Sequence, residues 1–176
     1  MFNVVVSPSP SIVEIEQLLH RDSSKVSIAA VRALNKTGRW LRTVIARELS
    51  EAMTVRVNLI RRRLVIFRAS INSMTVSIGI RKRGLLIDVS GIGHPVQDKR
   101  GVRVGKHRFD SDFIVEKIHG KVFHRTTRRR LPIRLTTLNM SRSASEIMDA
   151  FSDQRSLYHF EKIFQHELKY VFRTGV

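Results

Sequence analysis

Between Ser24 and Arg68 apolar and basic residues recur at helical spacing over a longer stretch than anywhere else in the chain, and any fold has to be built around it. Val26, Ala30, Ala33, Trp40, Leu41, Val44, Leu49 and Ala52 fall on one side of a helix. Lys25, Arg32, Lys36, Arg39 and Arg47 recur at steps of three, four, seven or eight, and so share an arc of about 100°. One face is suited to burial and the other to solvent or an acidic partner. Thr54 is of the N-cap type and predicts a second, shorter helix over Val55–Arg63, ending in Arg61-Arg62-Arg63.

The same sign of charge dominates the middle of the chain. Of a formal net charge of +17, residues 53–135 carry +15. A block this one-sided implies a polyanionic partner: nucleic acid, an acidic protein surface or, least of the three, anionic lipid, for which the block lacks a basic amphipathic helix with large apolar anchors. With 176 residues and 42% hydrophobic content the chain is long and apolar enough to bury a core, and a single domain over residues 1–176 is expected. No run approaches the roughly 18 uncharged residues of a membrane span. Met1–Val6 is apolar but lacks the form of a signal peptide. A cytoplasmic chain is expected, in keeping with the lack of cysteine, which also excludes disulfides and thiolate chemistry.

Along the chain, Ser11-x-x-Glu14 has the capping-box form and opens a short helix with Ile12, Ile15, Leu18 and Leu19 on one side. Met74, Val76, Ile78 and Ile80 alternate with polar or small residues, and Leu85, Ile87 and Val89 resume the alternation beyond Arg81-Lys82-Arg83-Gly84, which predicts a hairpin. Residues 90–109 read as a long basic loop, with one short strand near Val102–Val104. A second hairpin is predicted where Phe113–Ile118 and Lys121–Thr126 flank His119-Gly120, and an edge strand at Leu131-Pro132-Ile133. Ser143-x-x-Glu146 predicts another capped helix with Ala144, Ile147, Met148 and Phe151 on one face. Leu157, Phe160, Phe164, Leu168 and Val171 mark a last helix over Leu157–Phe172.

Patterns that carry catalysis are missing. The seven histidines include no His-Glu-x-x-His and no i, i+4 pair, and His159 and His166 stand too far apart along one helix to share an ion. Asp110-x-Asp112 lies among cations and reads as internal ion pairing. Gly91-Ile92-Gly93 lacks the third glycine and following helix of a phosphate loop, and no G-x-S-x-G elbow occurs. No catalytic, metal or cofactor residues are assigned. Low aromatic content argues against reading single-stranded bases by stacking, so an anion is expected to be met through backbone charge.

Ala29-Ala30-Val31-Arg32-Ala33-Leu34-Asn35-Lys36-Thr37 leads through Val44-Ile45-Ala46-Arg47-Glu48 to Val55-Arg56. The hairpin at Phe113–Arg125, the arginine-rich step, Leu131-Pro132-Ile133 and finally His166-Glu167-Leu168 come after. Together these resemble the minor tail protein Z family of long-tailed bacteriophages, the tail-completion proteins of lambda-like tails, over residues 24–173. The resemblance implies an α+β fold, with long N-terminal helices and a C-terminal helix packed on a small, mostly antiparallel sheet. It implies a structural virion protein at the head-proximal end of the tail, assembled in the host cytoplasm as a ring of six. Its partners would be copies of itself, the tail terminator, tail tube or head connector proteins, and double-stranded DNA. The alternative is a small basic protein that binds nucleic acid without sequence preference. Under either reading the contacts are expected from Arg61, Arg62, Arg63, Arg81, Lys82, Arg83, Arg128, Arg129 and Arg130, all at ends of regular elements, where long side chains reach outward.

Overall fold

The computed structural model describes residues 2–6, 23–80, 86–151 and 154–174. The basic amphipathic stretch forms one helix, α1 (Ser23–Met53). Its buried surface is wider than a single stripe and also takes in Ala29, Leu34, Thr37, Gly38, Ile45 and Ala46, while Ala52 is exposed. The reason is that α1 is covered both by strands and by the C-terminal helix. It ends at Thr54, which takes a left-handed φ of 51°. The Thr54 N–H donates to the Glu51 carbonyl at 3.2 Å and the Val55 N–H to that of Ser50 at 3.1 Å, a Schellman termination with buried Val55 as its apolar contact. Thr54 therefore closes α1 rather than capping a new helix. The short helix beyond it is α2 (Val57–Arg61), preceded by Arg56, which makes no side-chain cap.

The chain then turns extended, earlier than its charge pattern suggests. Leu64-Val65-Ile66-Phe67, branched and aromatic throughout, forms strand β2. With β1 (Phe2–Val6) and β3 (Val76–Ile80) it makes an antiparallel sheet of order β1-β3-β2, in which Ile78 lies opposite Val4 on one side and Ile66 on the other. Both edges of β3 are thus filled, one by the distant β1 and the other by β2, the strand just before it. That overturns the expected hairpin across Arg81–Gly84: β4 (Leu86–Asp88) pairs instead with Thr137–Asn139. Alternation reported the strands correctly but carried no information about partners.

Gly38 lets α1 cross this sheet closely, since a Cβ there would stand 2.6 Å from Val76 Cγ2. Val76, Ile78 and Ile80 are buried beneath the helix. Each large apolar side chain in such a core contributes about 1.5–3 kcal/mol.

The expected long loop over residues 90–109 is instead a three-stranded meander of β5 (Pro95–Asp98), β6 (Gly101–Val104) and β7 (His107–Asp110). Its apolar anchor is confined to buried Val102 and Val104, and turn chemistry shapes the rest. Asp98 Oδ1 accepts from the N–H groups of Arg100 at 2.7 Å and Gly101 at 3.0 Å. Gly101 has a φ of 152°, and Gly105, in the second turn, a φ of 59°. Arg108 then pairs with Asp98 at 3.0 Å and Asp110 at 3.1 Å. The meander docks on the end of α1, where His107 Nε2 lies 2.7 Å from the Met53 carbonyl and Lys106 Nζ donates to that of Ala52 at 3.4 Å. Nitrogen donors at the negative end of a helix dipole favour this contact.

β8 (Phe113–Val115) and β9 (Lys121–Arg125) form the second expected hairpin, with His119 at φ 53° and Gly120 at φ 65° in its connection. β10 (Ile133–Leu135), immediately after Pro132, is an edge strand beside β9, and β11 (Thr137–Asn139) continues onto β4. Buried Thr136 joins the two. Its N–H donates to the Val122 carbonyl at 2.9 Å, its carbonyl accepts from Val89, and its hydroxyl donates to Asp112 Oδ2 at 2.6 Å.

α3 (Ser141–Ala150), with Met140 at its N-cap position, begins three residues earlier than the Ser143 capping box proposes. Asn139 Oδ1 accepts from the Ser141 N–H and hydroxyl, and Glu146 pairs with Arg142 within the helix at 2.9 Å. α4 (Gln154–Thr174) buries Phe160, Phe164 and Val171. It packs chiefly on α1 rather than on a sheet. The fold is α+β as expected, with four small antiparallel sheets among the described residues in place of one. The expected helix at Ser11–Leu19 and the run Arg81-Lys82-Arg83 lie outside the described residues. No helix among the described residues is long and apolar enough to cross a membrane.

Candidate polyanion-binding surface

Part of the basic arc of α1 is turned inward, onto α4. Lys36 pairs with Glu167, a carboxylate only 4% exposed, and Arg32 lies over the Tyr170 ring with its guanidinium carbon 6.0 Å from the centroid. Arg39 and Arg47 stay exposed. Trp40, on the same side as Lys36, stacks on His159 with ring centroids 3.9 Å apart and planes 8° from parallel. Burial, and after it the neighbouring Lys162 charge, depresses the His159 pKa from its ordinary value. Asp98 is shifted the other way in charge: the Arg100 N–H hydrogen bond, aided by Gly101 and Arg108, lowers its pKa and keeps the carboxylate ionised.

The arginine runs are distributed over the fold. Arg61 closes α2 and Arg62 and Arg63 come next in a turn, Arg61 and Arg62 exposed and Arg63 half-buried. Arg128, Arg129 and Arg130 lie exposed in the connection between β9 and β10, where the Arg129 N–H donates to Thr127 Oγ1 at 3.3 Å. Internal ion pairs among the described residues engage Lys36, Arg108 and Arg142, and none engages either run. Asp110 pairs with Arg108 as the sequence suggests, whereas Asp112 is held by Thr136 instead of a cation. Arg128 also rims a recess of ≈ 590 Å³ whose other walls include Asp110, Asp112, His124 and Arg125. No cluster of three or more His, Asp or Glu among the described residues is arranged to hold a metal ion.

A further basic feature arises only from the fold. Asn35, Arg39 and Arg42 of α1 face Leu64, Val65, Ile66 and Arg68 across a groove of ≈ 460 Å³. The groove has a built frame. The Asn35 Nδ2 donates to the Ala69 carbonyl and its Oδ1 accepts from the Ala69 N–H, both at 3.0 Å, so one side-chain amide pins the end of β2 to the helix. Arg42 Nη2 donates to the Arg61 carbonyl at 2.8 Å, which ties the groove to the first arginine run. The signal for it was present: residues 35, 39 and 42 share one helical stripe at i, i+4 and i+7. What spacing could not reveal was that Arg68 returns to that stripe.

The family model described as prophage minor tail protein Z matches residues 13–175 of the chain. No curated protein and no solved structure matches.

Proposed function

The chain belongs to the prophage minor tail protein Z family, and from that premise we propose that it is a tail-completion subunit. In this reading it forms a ring, six copies matching the tail tube, at the head-proximal end of the phage tail, where it holds the end of the genome through phosphate contacts. It touches the tail terminator, tail tube or head connector proteins around its rim. The observation that carries the DNA contact is that Arg61, Arg62, Arg128, Arg129 and Arg130 stand exposed with no internal acid paired to them among the described residues. A conduit through which DNA slides is better lined with negative charge, and a station that must keep a DNA end benefits from the opposite sign.

Copies carrying +17 each repel unless negative groups lie between them, so assembly needs either DNA or acids of neighbouring chains. Asp149 and Glu161, both exposed, and Asp153 are the acids expected to face basic residues of the next copy. Replacing Arg128, Arg129 and Arg130 together by Gln tests the DNA contact in duplex titrations over a range of salt. Affinity falls alike for unrelated sequences, and the log–log slope shrinks by about 0.9 for each phosphate no longer neutralised. An unchanged slope with impaired tail assembly assigns the run to acidic neighbouring proteins instead.

A further inference from the structure

Resting on that reading, we propose that the groove between α1 and β2 is a phosphate-binding subsite for the duplex backbone, with Arg39, Arg42 and Arg68 as its cationic contacts and Asn35 as the residue that sets its width. Three guanidinium groups line it, two from α1 and one from the residue just past β2, and among the described residues no acid does. Its strand wall is aliphatic, from buried Leu64 and half-buried Ile66, and a wall of low polarizability strengthens the pull of each cation on an oxyanion. β2 is an edge strand, and no strand among the described residues pairs with its outer side, so its backbone adds N–H groups without strand partners beside the arginines.

Arg42 is the most telling of the three. One of its terminal nitrogens is anchored on the Arg61 carbonyl, while its Nε is shielded from solvent with no acceptor among the described residues. Leaving such a donor unmet is costly, and a phosphate oxygen entering the groove supplies the missing acceptor after a small turn of the guanidinium. The anchor also places Arg61, first of the run Arg61-Arg62-Arg63, next to Arg42, and cations close to one another suit a sugar-phosphate chain better than a single anion. With Asn35 committed to Ala69 and no aromatic ring in the lining, nothing in the groove is equipped to read bases, so binding there is independent of sequence.

The test uses the full chain and two unrelated labelled duplexes of about 20 base pairs, titrated over a range of salt. Arg39 and Arg68 are exposed, and their side chains make no described hydrogen bond or ion pair, so R39Q/R68Q is expected to fold with unchanged circular dichroism and melting. The slope should shrink by about 1.8, as expected when two phosphates are no longer neutralised, equally for both duplexes. The Arg42 Nε–H resonance, assigned by its disappearance in R42Q, should shift on addition of duplex. A wild-type slope in R39Q/R68Q together with a stationary Arg42 signal overturns the groove alone, if R128Q/R129Q/R130Q still shows a reduced slope. Failure of the wild-type chain to bind either duplex at low salt overturns both the groove and the reading it rests on. An Arg42 signal that moves with polyglutamate but not with duplex also overturns the groove as a DNA subsite and assigns it to an acidic protein.

Discussion

Single residues hold this fold at points where ordinary propensity would not place them. Thr54 is a β-branched residue in a left-handed conformation, retained because the Schellman turn at the end of α1 requires it. Since that geometry strains any branched side chain, Thr54→Gly is expected to raise stability by up to about 1 kcal/mol in denaturant titrations. Gly38 is the opposite case. The nearest atom to an added Cβ belongs to Val76, a short, stiff and buried side chain that cannot swing away. Gly38→Ala should therefore cost about 1–3 kcal/mol, read as a lower midpoint in the same titration. Lys36 and Glu167 bring together the N-terminal and C-terminal motifs that carry the family resemblance. Removing the lysine alone leaves a buried carboxylate without its cation. Lys36→Met should destabilise by about 1–3 kcal/mol, and the double variant Lys36→Met/Glu167→Met should recover much of that deficit.

At the scale of elements, the helices and most strands were legible in the sequence because periodicity is local. Val26–Leu49 and Leu157–Val171 announced their burial directly, and Val76-x-Ile78-x-Ile80 announced a strand. Pairing was not legible. Nothing in β3 says that Phe2–Val6 and Leu64–Phe67 will flank it, since the choice depends on how α1 folds back over the sheet. The meander at Pro95–Asp98, Gly101–Val104 and His107–Asp110 was hidden for another reason. Its apolar content is sparse, and Asp98, Gly101 and Arg108 supply by turn geometry and ion pairing what hydrophobic alternation usually signals. The packing of α4 on α1 makes its own prediction through His159. The folded chain disfavours the protonated ring, so below about pH 6.5 the unfolded chain binds more protons than the native one. Stability from this site is complete above the ordinary value and is lost as pH falls through the depressed native one. Lys36, Lys162, His166 and Glu167 line the same recess and remain in both proteins compared. The melting temperature should fall on acidification from about pH 7 to 5 less in His159→Phe, which keeps the ring on Trp40, than in the parent chain.

For the whole molecule, the sequence disclosed the sign and the concentration of the charge but not its shape. The runs Arg61–Arg63 and Arg128–Arg130 were visible as runs. The groove was not, because Arg42 and Arg68 become neighbours only when Asn35 fastens Ala69 to the helix. In the function proposed above, copies of this chain surround the genome end and face it with exposed arginine. Electron cryomicroscopy of the tail's head-proximal end, in virions carrying packaged DNA, puts this to the test. A closed ring of this chain is expected, with Arg61–Arg63 or Arg128–Arg130 lining the lumen, within contact distance of duplex density. A ring with both runs buried against acidic neighbours and a lumen wall without arginine, or copies of the chain that never touch one another, would contradict it.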